Sequence, residues 1–209
     1  MTAAVAAPGP GGNRSDAEVP RIDALPPDDS RGTMGMALTI VTEALLFVTL
    51  FFAYFYVGHD HAEWPPDLPK VQLALVLLGI LLASSGVLWL SERSLRRGAR
   101  TAARLWLLLT LVLGVLFVGV QALEYRNHLR ILRPSTDAYG SLFYVITSFH
   151  ALHVVGGLLM LGFVACQPDL EPTESPHRPL HNAALYWHFV DVVWIAVVVL
   201  LYLAPHFAR

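Results

Sequence analysis

Apolar residues fall into five long runs along this 209-residue chain, and short polar connections separate them. The runs cover about 34–57, 71–91, 105–125, 140–166 and 183–204. Each run reaches the ~20 residues that a helix needs to cross the hydrocarbon core of a bilayer. The pattern therefore predicts an all-α integral membrane bundle of five transmembrane helices, in a membrane domain that covers residues 34–209.

The first 33 residues form a different region, rich in Ala, Pro, Gly, Asp and Arg and without an apolar run. This composition predicts a disordered tail, and it lacks the charged-then-apolar order of a cleavable signal peptide. Over the whole chain 55% of residues are hydrophobic and 14% are charged, which excludes an ordinary soluble domain. No basic surface with interleaved aromatic residues is present, so no nucleic-acid partner is expected.

The basic residues are distributed unequally between the two ends of the predicted helices. The tail and the second and fourth connections together hold nine Lys and Arg, whereas the opposite side holds five. Because Lys and Arg accumulate in cytoplasmic segments, the amino terminus is predicted inside and the carboxyl terminus outside.

Three ionisable side chains lie at similar depths in the predicted spans. Glu43 lies ~13 Å and Asp191 ~12 Å from the inner ends of their helices, and His188 is about one turn shallower. Such groups persist inside a membrane only with a partner, a water-filled cavity or a function. One interpretation is a self-satisfied cluster in which His188 bonds a carboxylate and Thr39 or Thr42 completes the shell. The other is that Glu43 exchanges protons or contacts a lipid headgroup.

The fourth span combines histidines with small residues on one helical face. His150, His153 and Gly157 share that face, which predicts close packing within the bundle or against a partner. The intramembrane polar cluster would therefore comprise His188, Asp191, His150, His153 and Glu124. Glu124 lies near the outer end of the third span, where we expect a capping or ion-pair role.

The histidine positions argue against a haem held by this chain alone. His150 and His153 lie ~24 Å and ~20 Å from the inner end of the fourth span, whereas His188 lies ~8 Å from the inner end of the fifth. Two haem ligand nitrogens must come within about 4 Å of each other, twice a metal–nitrogen bond. The single cysteine, Cys166, excludes a two-cysteine copper centre. We therefore expect no metal or redox cofactor in this chain.

Four sequence blocks resemble subunit III of the haem-copper terminal oxidases, the cytochrome c oxidase family. The most specific block, from Tyr186 to Trp194, reads Tyr-Trp-His-Phe-Val-Asp-Val-Val-Trp and matches the family signature at every position. It includes Trp187 and Phe189. The other blocks are 42–47, 119–125 and 139–157.

The resemblance implies a subunit without redox centres in an aerobic respiratory complex of a bacterial plasma membrane. Haems and copper would belong to partner subunits, with subunit I as the main contact and subunit II nearby. Glu43 occupies the position of the family's intramembrane carboxylate, which is associated with proton uptake and bound phospholipid. Ser148 and Ala151 replace two family glycines, and the absence of two amino-terminal helices resembles the five-helix bacterial form.

Three alternatives to this interpretation remain open at the level of sequence. A quinol oxidase or a nitric-oxide-reductase-associated relative would differ in its electron donor or acceptor, a property of the partner subunits. A membrane b-type cytochrome would carry its own haem. A small proton-coupled membrane carrier would act without partner subunits.

Overall fold

The computed structural model describes residues 28–59, 64, 71–128, 138–168 and 179–207 of the chain. Within these residues, five helices are long and apolar enough to cross a membrane, as the sequence predicted. The helices are α1 (Asp28–His59), α2 (Val71–Arg96), α3 (Arg100–His128), α4 (Ala138–Ala165) and α5 (Pro179–Val197). A π-helical turn (Val198–Leu203) and the short α6 (Ala204–Phe207) continue α5. Residues 1–27, most of the predicted tail, lie outside the described residues.

Two helices begin earlier than the hydrophobic pattern predicted. Helix α1 begins at Asp28 rather than near residue 34, so residues 28–33 of the predicted tail are helical, and α5 begins at Pro179 rather than near 183. Polar residues can continue a helix beyond the hydrocarbon core, and proline fits a first turn, where its missing N–H has no intrahelical partner. Glu43 lies ~22 Å from the start of α1, near the middle of this longer helix.

Helix α5 is the centre of the bundle. It packs against α1, α2 and α4, while α3 packs against α2 and α4. Hydrogen bonds between Thr33 and Asn182 and between His181 and Glu92 show that the starts of α1 and α5 and the end of α2 meet at one end. We call it the arginine-rich end. Its arginines are Arg31, Arg93, Arg96, Arg97, Arg100 and Arg104. Which side of the membrane this end faces stays a prediction.

Trp187 locks the rotation of α5 within the bundle. Its indole is fully buried, and its Nε1 donates a hydrogen bond of 2.9 Å to the hydroxyl of Ser84 on α2. A methyl group added at Gly114 of α3 or at Gly157 of α4 would lie 2.7 Å from an indole carbon. Two glycines therefore create the space for this ring, a common way for membrane helices to approach closely.

The π-helical turn at the end of α5 precedes a proline. The backbone N–H of Ala204 donates to the carbonyl of Val199, five residues earlier. Pro205 has no N–H and its ring would clash with the carbonyl four residues before it in a regular α-helix. The wider turn relieves that clash, so the helix continues to Phe207.

Candidate functional site

A carboxylate of α1 and an imidazole of α4 form a pair halfway along both helices. Glu43 Oε2 lies 3.0 Å from His153 Nε2. The other ring nitrogen, Nδ1, lies 2.6 Å from the backbone carbonyl of Phe149. A carbonyl can only accept a hydrogen bond, so Nδ1 carries a hydrogen and the ring orientation is fixed. One proton is then shared between Nε2 and Oε2, as an imidazolium–carboxylate pair or as a neutral pair.

Aromatic rings surround the imidazole of this pair. The ring centroids of Phe47, Tyr186 and Phe189 lie 5.0, 6.5 and 6.4 Å from that of His153. The side chain of His153 is 12% exposed, whereas that of Glu43 is 35% exposed. The carboxylate is therefore the member of the pair that reaches the outside of the bundle.

A second histidine–carboxylate pair lies on α5 itself and involves α2. His188 Nδ1 lies 3.0 Å from Ser85 Oγ and 3.6 Å from Asp191 Oδ2. The hydroxyl of Ser85 also hydrogen-bonds to Asp191 Oδ2. Here the exposure is reversed, because the side chain of His188 is 42% exposed and that of Asp191 is 6% exposed.

The two pairs lie on opposite faces of α5. At about 100° of rotation per residue, positions 186 and 189 lie roughly opposite positions 188 and 191. The structure therefore does not bring Glu43 to His188 and Asp191, with which the depth estimate had grouped it. Thr39 and Thr42 do not complete such a cluster either, because their hydroxyls bond to carbonyls of α1 itself.

The remaining members of the predicted polar cluster lie apart from both pairs. His150 is buried, with its ring stacked on Trp194 at a centroid distance of 4.7 Å and edge-on to Phe117 at 5.8 Å. Glu124 lies near the end of α3 beside Tyr125, whose hydroxyl bonds to Thr147 of α4. The predicted cluster is thus divided among several places in the bundle.

The segment 186–194 contributes to the surroundings of every one of these histidines. Tyr186 and Phe189 contact His153, Trp187 sets the rotation of α5, and Trp194 stacks on His150. Ser85, which bonds to both members of the second pair, was not among the residues predicted from the sequence. The available signal was the adjacent Ser84 and Ser85 in an otherwise apolar span.

A further histidine–carboxylate hydrogen bond, not predicted from the sequence, lies at the arginine-rich end. His181 Nδ1 lies 3.1 Å from Glu92 Oε1, joining α5 to α2. Among the residues that the structure describes, no group of three or more His, Cys, Asp and Glu side chains could hold a metal ion.

Comparison with known proteins agrees with the resemblance of the sequence blocks. The family described as cytochrome c oxidase subunit III matches residues 30–205. The chain is 34% identical over 179 residues to cytochrome c oxidase subunit 3 of Thermostichus vulcanus, covering 83% of this chain and 88% of the relative. It is 36% identical over 175 residues to cytochrome c oxidase subunit 3 of Synechocystis sp., covering 81% of this chain and 74% of the relative. A probable cytochrome c oxidase subunit 3 of Nocardia farcinica is 31% identical to the chain, and the match covers 81% of this chain and 86% of the relative. The chain belongs to the cytochrome c oxidase subunit III family.

Proposed function

We propose that this chain is the non-redox subunit III of an aerobic oxidase of the cytochrome c oxidase type in a bacterial plasma membrane. In this role it stabilises the complex, binds lipid and supports proton uptake during sustained turnover. Family membership makes it part of an oxidase complex. The proposal on proton uptake depends on one observation, the hydrogen-bonded pair of Glu43 and His153 in the middle of the bundle.

The geometry of this pair suits reversible proton exchange. A lone carboxylate at this depth costs several kcal/mol or more, and a neighbouring imidazole offsets part of that cost. Because the carbonyl of Phe149 fixes the His153 ring, a proton can move between Nε2 and Oε2 without movement of the heavy atoms. The partly exposed Glu43 can then exchange that proton with a group outside the bundle.

The arrangement of the histidines supports a non-redox role. Both nitrogens of His153 have protein partners, and Nδ1 of His188 bonds to Ser85. We therefore expect the haems and copper in partner subunits, with subunit I as the main contact and subunit II as a further one.

A groove at the arginine-rich end supports the lipid-binding part of the proposal. Its volume is about 250 Å³, and Arg100 and Arg104 line it together with Leu105 and Leu108. Two arginines favour an anionic headgroup, and the leucines continue towards the membrane interior, where an acyl chain would lie. A phospholipid fits this combination of charge and apolar surface.

The decisive test is to capture the chain by a tag from gently solubilised membranes. We expect copurification of haem-bearing subunits, oxygen consumption and a haem signal in the reduced-minus-oxidised spectrum. Preference for quinol, or reduction of nitric oxide, would assign the complex to the corresponding relative. A colourless chain that purifies alone would refute the proposal, and substrate flux in liposomes would then test a carrier.

Glu43→Gln tests the role of the carboxylate within that complex. We expect the subunit to remain bound and the initial rate to be similar, while activity declines after fewer turnovers because the side chain cannot release a proton. Glu124→Gln, at the far end of α3, is the matched control and should retain the wild-type time course. An unchanged time course for Glu43→Gln, with the subunit bound, would contradict the proton role.

A further inference from the structure

The side of α5 that carries His188 is left open by the other helices. Helices α1, α2 and α4 pack around α5, yet Val192, Ile195 and Val199 are 62%, 39% and 45% exposed. Together with His188 these residues form what we call the open face. His188 is the only ionisable side chain of this face, and its Nε2 makes no hydrogen bond to any residue that the structure describes.

The imidazole of His188, on the open face, lies inside the hydrocarbon region. The helical rod from Pro179 to Phe207 has 29 residues, or ~43 Å, and His188 lies ~13 Å from its start. A hydrocarbon core of about 30 Å centred on this rod begins ~7 Å from each end, so His188 lies ~6 Å within it. A short imidazole cannot reach the headgroups from there, and leaving its nitrogen unsatisfied in lipid is costly.

Counting hydrogens shows that this outward nitrogen is a donor. If Asp191 is ionised, charge balance requires an imidazolium, and Nε2 carries a hydrogen. The hydroxyl of Ser85 donates its hydrogen to Asp191 Oδ2, so Nδ1 of His188 carries a hydrogen and donates to Ser85 Oγ. The imidazolium that balances the Asp191 carboxylate therefore presents its second N–H, on Nε2, to the open face.

We infer that the open face docks a transmembrane helix of a partner subunit, and that His188 Nε2–H donates a hydrogen bond to an acceptor on it. The acceptor is a backbone carbonyl, hydroxyl or carboxylate oxygen at the depth of His188. The valines and isoleucine of the open face supply the apolar contact around this bond. The inference rests on the proposed function, because it requires the chain to be part of a membrane complex.

Two substitutions of His188 separate the bond to the partner from the bonds within the chain. Asn places a polar atom near the position of Nδ1 but cannot reach the position of Nε2, whereas Gln can place an amide N–H there. From measured hydrogen bonds between membrane helices, we expect His188→Asn to lower the amount of chain retained by the captured complex about three- to tenfold. His188→Gln should retain most of it. His181→Asn is the control at the bundle end and should have little effect on retention.

A photo-cross-linking amino acid at Val192 provides a second test in the otherwise unchanged complex. We expect an adduct with a partner polypeptide, and peptide sequencing should locate it near an oxygen-bearing acceptor. The comparison site is Phe52, which is 68% exposed on α1. An adduct of residue 192 with phospholipid alone, or with residues 1–27 of the same chain, would overturn the inference. Wild-type retention of His188→Asn would do so as well.

The two proposals fail in distinguishable ways. A wild-type chain that copurifies with no haem-bearing subunit refutes the proposed function and this inference with it. A wild-type chain that copurifies normally, combined with a lipid adduct at residue 192, refutes the inference alone.

Discussion

The two histidine–carboxylate pairs of this protein use the same chemistry with opposite exposure. In the pair of Glu43 and His153, the imidazole is buried and the carboxylate reaches outside the bundle. In the pair of His188 and Asp191, the carboxylate is buried and the imidazole faces outward. The first pair joins two helices, whereas the second lies within one helix and is held by a serine of its neighbour.

Under the two proposals, the direction of a side chain, and not only its type and depth, sets the role of each pair. An outward carboxylate backed by a fixed imidazole can take up and release a proton. An outward imidazole backed by a carboxylate and a hydroxyl presents a hydrogen-bond donor to a neighbour. Both directions depend on the rotation of α5, which Trp187 fixes between Gly114, Gly157 and Ser84.

Gly157→Ala should have the largest effect, because it disturbs both pairs at once. The added methyl would lie 2.7 Å from the Trp187 ring, and a buried indole cannot easily move away. We expect a loss of about 1–3 kcal/mol in the free energy of unfolding, as for other overpacked cores. Equilibrium unfolding of the full chain in mixed micelles measures this free energy. Gly162→Ala on the same helix is the control, since no atom lies within 4 Å of its added methyl. Equal stability of the two variants would show that Trp187 does not fix α5.

A double-mutant cycle on Glu43 and His153 should give the second largest effect. With Glu43→Ala, His153→Ala and the double variant, we expect a coupling free energy above the average of about 0.6 kcal/mol and up to the maximum of about 1.7 kcal/mol for hydrogen bonds between membrane helices. The readout is again unfolding of the full chain in mixed micelles. Additive single effects, with no coupling, would mean that the 3.0 Å contact contributes no net stability.

The adjacent serines of α2 should give the smallest but most discriminating contrast. Ser84→Ala removes the hydrogen bond of Trp187 and should lower the stability of the chain by about 1 kcal/mol. Ser85→Ala releases His188 and Asp191 at the open face, so it should weaken retention in the captured complex more than Ser84→Ala does. If Ser84→Ala had the larger effect in both the unfolding and the retention assay, or Ser85→Ala did in both, the result would contradict the division of α5 into a packed side and a docking side.

Much of the bundle could be predicted because a bilayer imposes simple length and polarity rules. The five spans followed from apolar run length, and Glu43 was singled out because a carboxylate is costly in such a run. The starts of α1 and α5 were missed, because residues beyond the hydrocarbon core can be helical without being apolar. The partner of Glu43, which is His153, was missed for a different reason. The depths of the side chains were compared without the rotation of each helix about its axis.

The sequence by itself determined the membrane class, the five helices, the family and the residues with polar chemistry. Only the tertiary structure decided which of these residues meet, because the contact between α1 and α4 depends on how each helix is rotated about its axis. That rotation is set by shape: the Trp187 ring between two glycines and the hydroxyl of Ser84. As a result Glu43 meets His153 of α4, while His188 and Asp191 meet Ser85 on the other side of α5.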